Sequence, residues 1–246
     1  MELKLCTYAT VTTLGDFGPW ISKVVLDLPC TVRANDIDAN TFHIYVERHE
    51  RSGDVLMRKE RGADHAAPSV GYIDILAAYP CDENGRKLAV GAHVALEVAE
   101  QRLTKTIEGG VMGSRMLDDQ LRITQLTALP GNDGDDPTCG LVFDTCRGDI
   151  CPALKGWSNA TQKTAVEYGF FEPSFKAEDS ACFNPFAPEA TVVPQKAPLV
   201  VYLHGAGEGK GATQGEGATR AYIGNRVTAI SQAQIQRYFG GFAWVL

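Results

Sequence analysis

Leu199-Val200-Val201-Tyr202-Leu203-His204-Gly205-Ala206-Gly207-Glu208 is the stretch that decides the fold of the second half of the chain. Five apolar residues in succession mark a strand covered on both faces, as the strands of a parallel sheet are. A glycine-rich loop follows, from Gly205 to Gly217. Arg220 to Phe239 reads mainly as helix, with Val227 and Ile230 at i, i+3. Ser231-Gln232-Ala233-Gln234 has capping-box spacing, which places a helix restart there with Ser231 as N-cap. Gly240-Gly241 ends the helix, and Phe242-Ala243-Trp244-Val245-Leu246 begins another apolar run. Strand, glycine loop, helix and strand make a βαβ unit. The last run is cut at Leu246, so this domain is expected to be incomplete there.

Upstream, the period changes. Val24, Leu26 and Leu28 share one face of a two-residue repeat; Phe42, Ile44 and Val46 do the same, alternating with His43, Tyr45 and Glu47. Ile73 and Ile75 begin another strand, with its end at Pro80. Asp82-Glu83-Asn84-Gly85 follows, and its Asn-Gly pair suits a tight hairpin turn with positive φ. Val94, Leu96 and Val98 alternate again, and Leu121 with Ile123 gives a last strand. Short strands with no helix between them predict an immunoglobulin-like β-sandwich over residues 1–128. Pro130-Gly131-Asn132-Asp133-Gly134-Asp135-Asp136-Pro137 is a run of turn formers, and residues 129–137 are read as a linker. Its carboxylates lack the spacing and the distant Glu of a calcium loop. Residues 138–246 form the second domain.

Composition narrows the partners. A net charge of −7 argues against nucleic acid, since neutralising a phosphate backbone needs a basic face. No stretch approaches the roughly 20 apolar residues needed to cross a bilayer, so no membrane partner is expected. Met1-Glu2-Leu3-Lys4-Leu5-Cys6 alternates like a strand and has no apolar core of a secretory signal. Seven cysteines match no zinc spacing, and reduced thiols in a cytoplasmic protein are the expectation.

The chemistry lies in Leu203-His204-Gly205-Ala206-Gly207-Glu208. A buried strand that delivers His-Gly-x-Gly into a loop is how α/β-hydrolases build half of an oxyanion hole. Backbone N–H groups must face a developing oxyanion, and a Cβ would obstruct that approach. Gly205, Ala206 and Gly207 are the candidate donor loop, with His204 tying the loop down rather than acting as a base. The second domain is thus expected to be the N-terminal part of an α/β-hydrolase, with a doubly wound, mostly parallel sheet.

Pro198 to Glu208 also resembles the oxyanion segment of bacterial esterases related to polyhydroxybutyrate depolymerases and feruloyl esterases. Ile223-Gly224-Asn225-Arg226-Val227 and Ile235-Gln236-Arg237-Tyr238-Phe239-Gly240-Gly241 are similar to the helix that follows in those proteins. Several members carry an immunoglobulin-like module in front, and Gly18-Pro19-Trp20-Ile21-Ser22-Lys23-Val24-Val25-Leu26 resembles its early strand. Tyr168-Gly169-Phe170-Phe171-Glu172-Pro173 looks like the first hydrolase strand. The resemblance implies a serine carboxylic-ester hydrolase acting on a small-molecule or polymer-linked ester, with no cofactor and no metal. Family members place Ser in a G-x-S-x-G elbow after the next strand, with Asp and His later still. No G-x-S-x-G occurs here, so the triad is expected outside this chain. Gly156-Trp157-Ser158-Asn159-Ala160 comes near, but it precedes the oxyanion strand, whereas the hydrolase order puts the nucleophile after it.

Other classes compete. Gly207-Glu208-Gly209-Lys210-Gly211 invites a phosphate loop, yet position one of G-x-x-x-x-G-K-[ST] is His204 and Gly211 follows the lysine. G-x-G-x-x-G fails as well, because Lys210 stands at the third glycine. A non-catalytic binding module is the second reading, with Trp20, Tyr72 and Tyr79 as a possible aromatic sugar platform. A serine peptidase on the same fold shares the acyl-transfer machinery and stays open.

Overall fold

A computed structural model describes residues 4–15, 18–50, 52–59, 62–102, 104–106, 114–130, 136–161, 167–171, 199–203, 227–238 and 243–245. The chain divides into two compact units. The first comprises Met1–Thr13, Trp20–Leu103 and Met116–Cys151; the second comprises Leu14–Pro19, Thr104–Arg115 and Pro152–Leu246.

The first unit is built on a sheet whose strands are, in chain order, β1 (Lys4–Gly15), β2 (Gly18–Arg33), β3 (Phe42–Glu50), then after the small ribbon of β4 (Met57–Arg58) and β5 (Ala67–Pro68), β6 (Val70–Ile73) and β7 (Ile75–Cys81). β8 (Val90–Arg102), β10 (Ser114–Gln125) and β11 (Leu141–Ile150) complete it, while the short β9 (Thr104–Thr106) falls in the segment assigned to the second unit. The hydrogen-bonded order is β6-β3-β10-β11-β1-β2-β8-β7, with β9 on β10.

Two separate sheets were the expectation from the strand pattern. Here the strands instead follow one continuous path that curls on itself. The curl is visible in the chain: β6 and β7 lie at opposite ends of the path, yet only Asp74 separates them. The Asp74 carbonyl accepts a hydrogen bond from the Ala99 amide of β8 at 3.1 Å. One extended segment therefore passes from one end of the sheet to the other, which folds the two inner faces together.

Alternation explains what fills the interior. Val24, Leu26 and Leu28 of β2, Phe42, Ile44 and Val46 of β3, and Val94, Leu96 and Val98 of β8 join one core with Leu121, Ile123, Leu141 and Phe143. Phe42 and Phe143 meet edge to face with centroids 6.1 Å apart. Burying each large apolar side chain of this kind contributes about 1.5–3 kcal/mol. A second, smaller cluster on the other side of β2 joins Val25 to Ala9, Val11, Tyr79, Cys81 and Ala95.

Three local expectations change. Leu141–Ile150 lies in the first unit, although the sequence reading began the second domain at residue 138. Its Leu141-Val142-Phe143 run supplies buried core, and β11 bridges β10 to β1, pairing antiparallel with the first and parallel with the second. The strand thought to end at Pro80 continues to Cys81. Pro80 is tolerated because β7 ends the path and has only β8 to pair with. Gly85 does have positive φ, +77°, but its turn sits in a longer connection between Cys81 and Val90, closed by Gly85 N–H to the Asp82 carbonyl at 2.9 Å.

The second unit holds a four-stranded sheet in the order β12-β13-β15-β14: β12 (Trp157–Thr161), β13 (Glu167–Phe171), β14 (Leu199–Val201) and β15 (Ala243–Val245). A 3-10 turn, Val227–Ser231, leads into a short helix, α1 (Ala233–Tyr238). β12 and β13 are antiparallel, as are β13 and β15, whereas β14 and β15 are parallel. The β14–turn–α1–β15 succession with its parallel pair matches the βαβ step expected from the sequence, but the doubly wound, mostly parallel sheet does not follow: among the described residues two of the three pairings are antiparallel, because β13 runs against both β12 and β15. No helix among the described residues is long and apolar enough to cross a membrane.

Candidate functional site

The strand that leads to the proposed donor loop is β14. Val200 and Tyr202 pack with Trp157, Phe171, Ile230 and Ile235, while Val201 and Leu203 are 60% and 84% exposed. The run Leu199 to Leu203 was expected to be covered on both faces. Among the described residues one face is packed, the one that joins Phe171, Ile230 of the 3-10 turn and Ile235 of α1. β14 and β15 run in the same direction, so their C-terminal ends lie on the same side, where open α/β sheets place their ligand crevices. His204, Gly205, Ala206 and Gly207 lie outside the described residues.

The elements after the loop are fixed by polar contacts. Ser231 was expected to cap a helix. Its hydroxyl instead donates to the Thr228 carbonyl at 2.7 Å and accepts from Trp157 Nε1 at 3.0 Å. The helix starts two residues later, with the Gln236 amide bonded to the Gln232 carbonyl. Gln236 is buried, and its side-chain amide donates to the Ile230 carbonyl at 3.0 Å, joining α1 to the turn before it. Ser158 lies in β12, opposite Phe170 of β13, ahead of β14 in the chain.

The first unit brings together a polar row that sequence reasoning missed, because its members are scattered over four strands. Asp27 on β2 accepts hydrogen bonds from Thr7 of β1, from His93 Nδ1 of β8 at 2.9 Å and from Arg147 Nε of β11 at 2.9 Å. No local pattern announces the row, since Asp27 meets His93 only through the long-range β2–β8 register. An Asp–His pair suggests a base, and Cys81 stands opposite His93 in the β7–β8 register. Cys81, however, is buried, and burial pushes its thiol up to about 12. A thiol so placed is not a nucleophile at neutral pH. With three donors on its carboxylate, Asp27 acts as a cross-strand tie. Arg147 extends it by donating to the Glu83 carbonyl at 3.1 Å.

The three residues suggested as an aromatic platform separate. Tyr79 is buried, with its hydroxyl donating to Glu97 at 2.8 Å and the Lys23 and Lys87 ammonium groups 5.3 and 5.1 Å from its ring centroid. Trp20 pairs with Arg102 in the β2–β8 ladder. Tyr72 is 76% exposed on β6. Among the described residues, no group of three or more His, Cys, Asp or Glu side chains is arranged to hold a metal ion.

A family model for the esterase Ig-like N-terminal domain matches residues 7–136. The chain belongs to that family. The matched region ends at the stretch read as a linker, one strand short of the end of the first compact unit. Among solved structures, the chain is similar to one described as the crystal structure of a thermostable esterase. The TM-score is 0.67 at 17% identity, over 97% of this chain and 56% of that one. At that identity the likeness is one of fold, and this chain spans little more than half of that esterase. No curated protein matches the chain.

Proposed function

We propose that this chain is part of a serine carboxylic-ester hydrolase, with its Ig-like domain in front and Gly205, Ala206 and Gly207 supplying backbone donors for the oxyanion. The observation that carries the reading is the conjunction of the esterase Ig-like family with a β14–α1–β15 unit in parallel pairing, whose first strand runs into His-Gly-Ala-Gly. The likeness of fold to a thermostable esterase supports the same reading. In this scheme the substrate carbonyl sits at the C-terminal ends of β14 and β15. The amides of the loop then stabilise negative charge as the nucleophile attacks. The residues of the chain lack a G-x-S-x-G elbow, and the 246-residue chain is expected to be inert toward p-nitrophenyl acetate.

The test uses the protein expressed from its whole reading frame. Gly207→Val should lower kcat by about 10²–10³ with little change in KM, the mark of an interaction made mainly in the transition state. Ala206→Gly, which keeps the N–H, should be mild. A destabilised Gly207→Val with unchanged kcat per folded molecule would remove the loop from the site. Turnover by the 246-residue chain that disappears in Ser158→Ala would overturn the order of elements on which the reading rests.

A further inference from the structure

The outer face of the first sheet, at the β6-β3-β10 end, carries a groove of about 460 Å³ lined by His43, Tyr45, Tyr72, Arg122, Thr124 and Leu126. Register explains the grouping. Tyr45 stands opposite Tyr72 on one side and Arg122 on the other, and His43 stands opposite Thr124. His43 and Tyr45 are two apart on β3, so both point outward from the core that Phe42, Ile44 and Val46 fill. The rings touch: Tyr72 meets His43 and Tyr45 edge to face at 5.6 and 5.5 Å. Such a face is ordinarily polar, and here it holds three rings, one of them 76% exposed.

We propose that this groove binds acidic polysaccharide, seating a uronic-acid unit with its ring on the tyrosines and its carboxylate on Arg122. A pyranose has an apolar C–H face and a rim of hydroxyls, which matches aromatic rings flanked by Thr124 and the tyrosine hydroxyls. Pockets that hold small ligands share this make-up of apolar walls and a few polar groups, over roughly 300–1,000 Å³. Arg122 selects the acid. Its side chain makes no hydrogen bond or ion pair with another described residue, and no carboxylate is among the residues lining the groove. A free guanidinium fork is the side chain best suited to bidentate recognition of a carboxylate. The protein carries a net charge of −7, so a polyanion gains nothing from its overall field and must find a local site.

Affinity electrophoresis through gels containing polygalacturonate, with neutral galactan as the second arm, tests this without any turnover, so failure of the hydrolase reading leaves it standing. Polygalacturonate should retard the chain, and both Tyr72→Ala and Arg122→Gln should weaken that by about tenfold or more. Both side chains are exposed, so the variants should fold, which circular dichroism checks. Lys87→Gln, away from the groove, should behave as wild type. No retardation, or equal retardation of wild type and both groove variants, overturns the proposal. Equal retardation by neutral galactan overturns the role of Arg122 and with it the acidic ligand.

Discussion

Gly85 offers a calibrated test of how tightly the turn after β7 is set against the sheet. Its φ is +77°, and a Cβ there would lie 3.1 Å from Val25 Cγ2 and 3.3 Å from Lys23 Cδ. Two costs therefore add in Gly85→Ala. The left-handed backbone costs a non-glycine residue about 1–2 kcal/mol. Pressing a methyl against Val25, whose side chain is fully buried in the smaller cluster, adds about 1 kcal/mol or more. The reduced freedom of the unfolded chain returns roughly 0.4–1 kcal/mol. A net loss of about 2 kcal/mol follows. Gly53 isolates the backbone part, since its φ is +92° with nothing within 4 Å of the added Cβ. By the same terms Gly53→Ala should cost roughly 0–1.6 kcal/mol, about 1 kcal/mol less than Gly85→Ala. Gly71 has neither positive φ nor a neighbour within 4 Å, and Gly71→Ala should be neutral or slightly stabilising. Urea unfolding followed by hydrogen exchange in β2 and β8 peptides reports the first unit alone. Equal losses in Gly85→Ala and Gly53→Ala would show that the turn does not press on Val25.

Other outcomes follow from single residues. Iodoacetamide at neutral pH should modify exposed Cys146 readily and leave Cys81 untouched, because burial holds the Cys81 thiol near 12; mass spectrometry showing comparable rates would refute that placement. Asp119 is buried, its carboxyl pushed above the usual range by loss of solvent despite Arg48 Nε 3.0 Å away. Its contribution is full below the ordinary Asp value and falls as pH rises through the raised one. Asp119→Asn should therefore gain on wild type as pH climbs above the ordinary Asp value, and a loss would mean that Arg48 outweighs burial. Finally, a specific protease site engineered between Pro130 and Asp136 should yield fragments that co-elute in native gel filtration. Free separation of the C-terminal fragment would deny β11 its place between β10 and β1.

How much was legible depended on whether a residue's neighbours were near it in sequence. The alternation in Val24–Leu28, Phe42–Val46 and Val94–Val98 announced strands and their inward faces, since a half-buried sheet needs nothing more. Gly85 announced its φ for the same local reason. The place of β11 was not legible: Leu141-Val142-Phe143 is a strand in any β-protein, and only long-range pairing assigns it to the first sheet. Ser231 failed as a cap because Trp157, 74 positions away, competes for its hydroxyl. The row at Asp27 was hidden likewise, its partners coming from 20 to 120 positions away. The candidate donor loop was read from a four-residue motif, and the strand before it shows an exposed face that a five-residue apolar run did not foretell.

The passage of the chain through Asp74 has a mechanical consequence. Edges of a sheet usually fray independently, each strand peeling from its single neighbour. In this fold the two outermost strands are successive lengths of the same cord, pinned at their junction by the bond from Ala99 to the Asp74 carbonyl. Tension that lifts β6 from β3 is handed directly to β7 on β8. The rims must open together or stay shut together, so neither is readily offered as a loose template to a neighbouring molecule.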